Sequence, residues 1–292
     1  LNTPHVLGRA NMAGVLSNLE FILQLILFTK MFSQKQPGEL ISLAQGLGVD
    51  GFDLCVRTNH LVNPSNVATA LPQLASELRS SGLDVPMLTG DADLLLPDHP
   101  IGQLILAAMD EADVRMLKIG YFHFNPASND YTANMDRARR AYDGWQKLAH
   151  KYRVKICHHT HSGQIIGSNG SGASCLMAGL DPSLVGVKID PAHLVLEGED
   201  FLAAFSMVRD YVCIVSLKDA LVTRGEKNGH GCTIGQTVEA GQGMVDWTDV
   251  GQCLAENGFD GPMSIHCEFK GVDDFDGAVK REVAFFRRWL ER

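Results

Sequence analysis

Apolar, β-branched runs of five to nine residues recur down the chain, and each is followed by a stretch in which apolar positions return every three or four residues. The runs predict strands over 21–28 (FILQLILF), 51–56 (GFDLCV), 84–89 (DVPMLT), 114–122 (VRMLKIGYF), 154–160 (VKICHHT), 186–190 (GVKID), 212–217 (VCIVSL) and 262–267 (PMSIHC). The helical spacing predicts helices over about 38–47, 67–81, 100–112, 131–151, 171–179, 199–209, 246–257 and 274–290. Eight alternations of strand and helix are the pattern of a parallel sheet covered by helices, and eight of them can close into a barrel. The expected fold class is therefore α/β, a (β/α)8 TIM barrel, formed as a single domain over 19–292. Residues 1–18 show no strong period and are read as an N-terminal extension. An open doubly wound sheet is the runner-up, but no strand-to-helix turn carries a GxGxxG or Walker-type loop.

Composition changes this picture little. With 292 residues and 45% hydrophobic content the chain has room for two ordinary domains or one barrel of about 250 residues, and the order of elements favours the barrel. A formal net charge of -9 and the lack of a Lys/Arg cluster argue against a nucleic-acid partner. The most apolar stretch, Phe21 to Phe28, falls short of the roughly 20 residues needed to span a bilayer, and no basic start with a small-residue cleavage site precedes it. Cysteines at 55, 157, 175, 213, 232, 253 and 267 form no CxxC pair and are odd in number. They are read as reduced, buried thiols of a cytoplasmic protein.

The chemistry collects at the expected C-terminal ends of the strands, where barrels carry their active sites. In His158-His159-Thr160-His161 the strand period puts His159 and His161 on one face, as a metal pair, an acid/base pair or a hydrogen-bonded pair. Strand two leads to Asp53 and Arg57, strand four to Lys118 and His123, strand six to Asp190 and His193, strand seven to Lys218 and Asp219, and strand eight to His266 and Glu268. Asp190 interrupts an apolar run, and a carboxylate there is costly to bury unless paired with a cation or a metal. Lys218 is the strongest non-metal candidate, as acid, base or electrostatic stabiliser, with a salt bridge to Asp219 or Asp190 as the alternative. The run Gly167-Ser168-Asn169-Gly170-Ser171-Gly172 precedes a helix and is read as a phosphate cradle or an active-site loop.

Several segments together resemble the sugar phosphate isomerase/epimerase superfamily of xylose isomerase-like TIM barrels, over about residues 21–290. They are Gly48-Val49-Asp50-Gly51-Phe52-Asp53-Leu54, His159-Thr160-His161-Ser162-Gly163, Asp190-Pro191-Ala192-His193 with Glu197-Gly198-Glu199-Asp200, Leu217-Lys218-Asp219, Ala240-Gly241-Gln242-Gly243-Met244-Val245-Asp246-Trp247 and Gly261-Pro262-Met263-Ser264-Ile265-His266-Cys267-Glu268. Their order and position at successive strand ends carry the resemblance. It implies a divalent metal held by Glu, Asp, His and Glu from strands five to eight. Here only Asp190 keeps that identity: His159, Ser216 and His266 stand at the other three positions. His159, Asp190 and His266 make a two-histidine, one-carboxylate set suited to one divalent metal such as Mn, Zn, Mg or Fe, with Gln164 as a further oxygen ligand. A metal-free site is the alternative.

The resemblance implies an isomerase or epimerase acting on a small carbohydrate or polyol derivative by enolisation next to a carbonyl. His159 and His266 are the expected proton-transfer groups, and Asp190 with metal, or Lys218 without it, stabilises the enediolate. Arg57, Lys118, His161, His193 and Glu268 are expected to bind substrate. A keto-sugar or inosose dehydratase is the second reading, because the family includes dehydratases with a histidine-rich end to strand five. A noncatalytic sugar-binding barrel is the third. Barrels of this type often form homo-oligomers, although no exposed apolar stripe marks an interface here.

Overall fold

The computed structural model describes residues 23–128 and 130–291. Eight parallel strands close into a barrel: β1 (Leu25–Phe28), β2 (Gly51–Cys55), β3 (Asp84–Thr89), β4 (Met116–Lys118), β5 (Lys155–His159), β6 (Val185–Ile189), β7 (Val212–Leu217) and β10 (Met263–Ile265). Neighbours in sequence are neighbours in the wall, and β10 returns to pair with β1 through Leu25↔Met263, Ile26↔Ser264 and Leu27↔Ile265. Around the wall lie α1 (Pro37–Leu47), α2 (Val67–Ser80), α3 (Gly102–Glu111), α4 (Tyr131–Tyr152), α5 (Gly170–Met177), α7 (Phe201–Val208), α8 (Trp247–Glu256) and α9 (Phe275–Leu290). The expected extension over 1–18 and the start of the first strand lie outside the described residues. Among the described residues no helix is long and apolar enough to cross a membrane.

Two elements go beyond the sequence expectation. An antiparallel hairpin, β8 (Asp219–Lys227) and β9 (His230–Val238), rises between β7 and α8. Most of its residues from Thr223 to Gln236 are exposed, so it shows no buried face for hydrophobic patterning to detect. Its turn was legible: Asn228 and Gly229 both take positive φ, 55° and 76°, as a two-residue primed turn requires. The second is α6 (Pro191–Glu197), whose marks are Asp190 as N-cap, Pro191 at the first helical position and Gly198 in the left-handed C-cap. Conversely, β4 is only three residues long where nine were expected. The chain turns away at Gly120, where a Cβ would stand 2.1 Å from the Ala92 carbonyl oxygen.

Side chains alternate across the wall. Leu25 and Leu27 join the large core between strands and helices, whereas Ile26, Met87 and Ile214 form a separate cluster with Met116 packed against it, an apolar floor on the inner side of the wall. The seven cysteines are unpaired. The expectation that all are buried needs correction, because Cys175 is exposed and Cys213 and Cys232 are only partly buried.

On α9, Glu282 is buried against the loop that follows the hairpin and accepts a hydrogen bond from Ala240 N at 2.6 Å, while its other oxygen has no partner among the described residues. Burial, with Asp219 and Glu239 nearby, pushes its carboxyl up to about 8. Between about pH 4.5 and 8 the folded state therefore keeps a proton that the unfolded chain releases, and stability is lost as pH rises through that window. The loss is on the order of 5 kcal/mol at its fullest. Thermal melts of Glu282→Gln against the unaltered protein are expected to show a Tm difference that grows from pH 5 to pH 8.5; a constant difference would refute the raised carboxyl.

Candidate active site

Directly above the apolar floor sits a buried ion pair. Lys188 Nζ lies 2.5 Å from Asp53 Oδ2 and 3.8 Å from the Met87 sulfur. Thr89 Oγ1 and Ser264 Oγ donate to the Asp53 carboxylate at 2.7 and 3.0 Å. Burial raises the Asp53 carboxyl, but Lys188 outweighs it and leaves the group below its ordinary range. Asp53 thus belongs to the foundation of the site, and a neutral substrate gains no free charge from it.

The next layer holds the chemistry. β5 ends at His159, β6 delivers Asp190, β7 delivers Ser216 and Lys218, and His266 and Glu268 follow β10. Asp190 Oδ1 caps α6 through His193 N at 3.0 Å, which leaves Oδ2 facing inward, 3.1 Å from His159 Nε2 and 3.4 Å from Lys218 Nζ. Lys218 Nζ also lies 2.7 Å from His193 Nε2 and 3.3 Å from Glu268 Oε2. Lys30 approaches the other Glu268 oxygen. His266 stacks on Phe28 with ring centroids 4.3 Å apart; its Nδ1 is 3.5 Å from Glu268 Oε2, and neither ring nitrogen has a hydrogen-bond partner among the described residues.

These contacts set protonation. Burial, reinforced by Lys188, pushes His266 down to about 4 and holds His159 well below its ordinary value, so both imidazoles are neutral near pH 7. Burial and Lys218 do the same to His161, down to about 4, and to His193. Burial raises Asp190 and Glu268, but the first is outweighed chiefly by Lys218 and the second by His266, Lys218 and Lys30, so both carboxyls fall below the usual range. A carboxylate only accepts, so neutral His159 donates Nε2–H to Asp190 and its Nδ1 accepts from the Tyr121 hydroxyl at 2.8 Å. His193 Nε2 accepts from the Lys218 ammonium, and Nδ1–H donates to Ser162 Oγ at 2.9 Å.

Of the residues expected from sequence, His159, Asp190, His193, Lys218, His266 and Glu268 converge. His161 stacks on His193 with centroids 3.7 Å apart and flanks Tyr121 at 4.8 Å. Lys118 is buried, its Nζ 3.5 Å from the Tyr121 ring centroid. Gln164 is a correction: its side chain is exposed and makes no hydrogen bond, because its backbone carbonyl, paired with Phe124 N, ties the loop down instead. The glycine-rich stretch is corrected only in its phosphate-cradle reading, the active-site loop being the other. Its backbone N–H groups at Gly170 and Ser171 donate to the Glu199 carboxylate at 2.5 and 3.3 Å, and Asn169 caps Gly172, so the protein's own acid already occupies the expected phosphate cradle. Lys218 pairs with Asp190, while Asp219 turns away to accept from the backbone N–H groups of Ala220, Gly241, Gly243 and Val245 and from Trp247 Nε1. Tyr121 is a residue that sequence reading missed: it fell inside the expected strand 114–122, whereas β4 ends at Lys118 and leaves it at the barrel mouth.

The metal set implied by family resemblance does not fit these side chains. The Lys218 ammonium is seated between the Asp190 and Glu268 carboxylates, where a cation's charge would be required, and His159 Nε2 carries the proton it donates to Asp190 and so presents no lone pair. Among the described residues no group of three or more His, Cys, Asp or Glu side chains is arranged to hold a metal ion. The expected ligand set His159, Asp190, His266 and Gln164 is therefore not assembled here.

Residues 41–289 match the model of a family described as the xylose isomerase-like TIM barrel. An inosose dehydratase of Lacticaseibacillus casei is 28% identical over 143 residues, 46% of this chain and 48% of that enzyme. An inosose dehydratase of Bacillus licheniformis is 26% identical over 165 residues, 53% of each. The matched segment spans about half the length of these curated relatives. Among solved structures, a 3-keto-D-glucoside 4-epimerase of E. coli aligns with a TM-score of 0.71 at 14% identity, covering 91% of this chain and 99% of that one. D-Psicose 3-epimerase of Clostridium cellulolyticum, solved with D-tagatose, aligns with a TM-score of 0.64 at 15% identity, covering 92% and 99%. At such identities these structures speak to the fold, which is the same closed parallel barrel. With the family model matched from α1 to α9, the chain belongs to the xylose isomerase-like TIM barrel family.

Proposed function

We propose that the protein is an isomerase or epimerase of a small carbohydrate or polyol derivative, working by enolisation next to a carbonyl. The observation that carries this is the pairing of a free base with a fixed cation: His266 is neutral, its Nε2 has no partner among the described residues, and the Lys218 ammonium shares with its Nδ1 side the Glu268 Oε2 atom. Lys218 exchanges its longest contact, to Asp190 at 3.4 Å, for the substrate carbonyl oxygen, and His266 removes the proton from the adjacent carbon. The C–H electron pair becomes the enediolate, whose oxygen charge Lys218 balances. Return of a proton to the former carbonyl carbon, with the neighbouring hydroxyl's proton passing to the former carbonyl oxygen, gives an isomer, and return to the same carbon from the other face gives an epimer. The Tyr121 and His159 pair, which shares one proton between hydroxyl and Nδ1, serves that second transfer.

The test is solvent deuterium incorporation across a panel of ketoses. His266→Ala is expected to lower exchange by about 10²–10⁴; unchanged exchange would remove His266 from this role. The dehydratase relatives support a second reading in which the same enediolate expels a β-hydroxyl. Product mass separates the two, since dehydration lowers it by one water and isomerisation leaves it unchanged.

A further inference from the structure

We propose that Arg57 and Lys118 form a subsite for an oxyanion on the substrate, so that the carbohydrate carries a carboxylate or a phosphate. This rests on the barrel mouth being the active site. Lys118, at the end of β4, is 1% exposed, and its Nζ has no hydrogen-bond partner among the described residues. Arg57 lies just past β2, partly buried, with a buried Nε that likewise has no partner. Among the described residues neither forms an ion pair, whereas the other charges named in the mouth are matched: Lys188 by Asp53, and Asp190 and Glu268 by Lys218 and Lys30. Two cations in excess, one buried and one partly buried, are unfavourable for the free protein. The Tyr121 ring offsets part of that for Lys118 through its π face.

Burial, with Arg57 and Lys188, lowers the Lys118 ammonium, and an oxyanion between Lys118 and Arg57 would favour its charged form. Val56 and Lys118 pair with the end of β3 from its two sides, so Arg57 and Lys118 emerge one strand apart, and a planar guanidinium with several donors across from a compact ammonium suits a group with two or three oxygens. The location is productive as well. Tyr121 carries Lys118 on its face and hydrogen-bonds His159 through its hydroxyl, so an anion held by Lys118 lies one side chain away from the proton-transfer groups. A neutral sugar would leave both cations unmatched, and the backbone cradle at the start of α5 is filled by Glu199.

Thermal stability in inorganic phosphate, compared with chloride at equal ionic strength, tests the site without reference to turnover. Phosphate is expected to raise Tm, as a ligand of the folded state does. Lys118→Met is expected to abolish that rise while keeping a Tm in chloride at or above that of the unaltered protein. Arg57→Met, at a partly buried position, gives the same readout should the first variant fold poorly. No specific rise with phosphate, or the same rise in either variant, would overturn the subsite.

Substrate panels identify the source of the anion. Deuterium exchange on fructose 6-phosphate indicates a phosphate, and exchange on 2-ketogluconate a carboxylate. In either case KM is expected to rise roughly ten- to a hundredfold in Arg57→Met, with kcat less affected. Exchange with fructose alone, or covalent trapping of a ketose on Lys118 by borohydride, would overturn the proposal. Phosphate binding without any exchange would keep the subsite and defeat the enolisation, so the two failures are distinguishable.

Discussion

Lys218→Met is expected to lower solvent deuterium exchange by about 10²–10³, the cost of removing one fixed group from a developing oxyanion. The methionine keeps most of the apolar stem and deletes the charge. Because this ammonium is the chief group holding Asp190 below its ordinary range and, after His266, the next one lowering Glu268, its loss also raises both carboxyls and loosens His193, which then has no donor for Nε2. Conservative replacement by Arg is expected to fold but not to restore the rate, since a planar fork cannot reach Asp190, His193 and Glu268 as one compact ammonium does. In the unaltered enzyme, dialysis against a chelator is expected to leave exchange unchanged, and added Mn, Zn or Mg to leave Tm unchanged, because Lys218 supplies the positive charge between the carboxylates. Wild-type rates in Lys218→Met would remove the lysine from the reaction. A Tm rise with one of these metals in the unaltered enzyme would reinstate a metal site.

Asp53→Asn is expected to destabilise the protein by about 3–5 kcal/mol, because Lys188 is then left buried without its carboxylate. For a barrel of this size that corresponds to a fall in Tm on the order of 10 °C. The double variant Asp53→Leu with Lys188→Met is expected to be less destabilised than Asp53→Asn, since it removes both charges at once and extends the apolar floor of Ile26, Met87 and Ile214. Urea melts of the three proteins measure this directly. A single variant as stable as the unaltered chain would mean that solvent reaches the pair.

The period-two and period-3.6 patterns located all eight barrel strands and their flanking helices, because those elements bury one face or both and must write that burial into neighbouring residues. The errors have the same origin. The hairpin β8–β9 buries too little to leave an apolar pattern, and α6 spans too few turns for a period to show, although its Asp190-Pro191 start and Gly198 stop were readable. Gln164 looked like a ligand because it follows the histidine run by a few residues, but the loop through Gly163 and Ile165 is fastened by Glu197 and by pairing with His123, which leaves Gln164 outside. Tyr121 lacked any local mark, since its role depends on His159, 38 residues later.

The amino-acid sequence by itself determined a closed parallel barrel and the placing of Asp190, Lys218, His159, His266 and Glu268 at one end of it. Both follow from local rules: alternation along a strand, helical spacing, and the fixed sense of a parallel wall. Only the tertiary structure decided which charge meets which. Asp53 and Lys188 are 135 residues apart, and Lys218 and Glu268 are 50 apart. Coulombic pairing depends on distance through space and on exclusion of water, neither of which is written in residue order. For that reason a lysine, rather than a metal, between two carboxylates, and two cations left without a counter-charge at Arg57 and Lys118, emerged only when the strand ends were brought together.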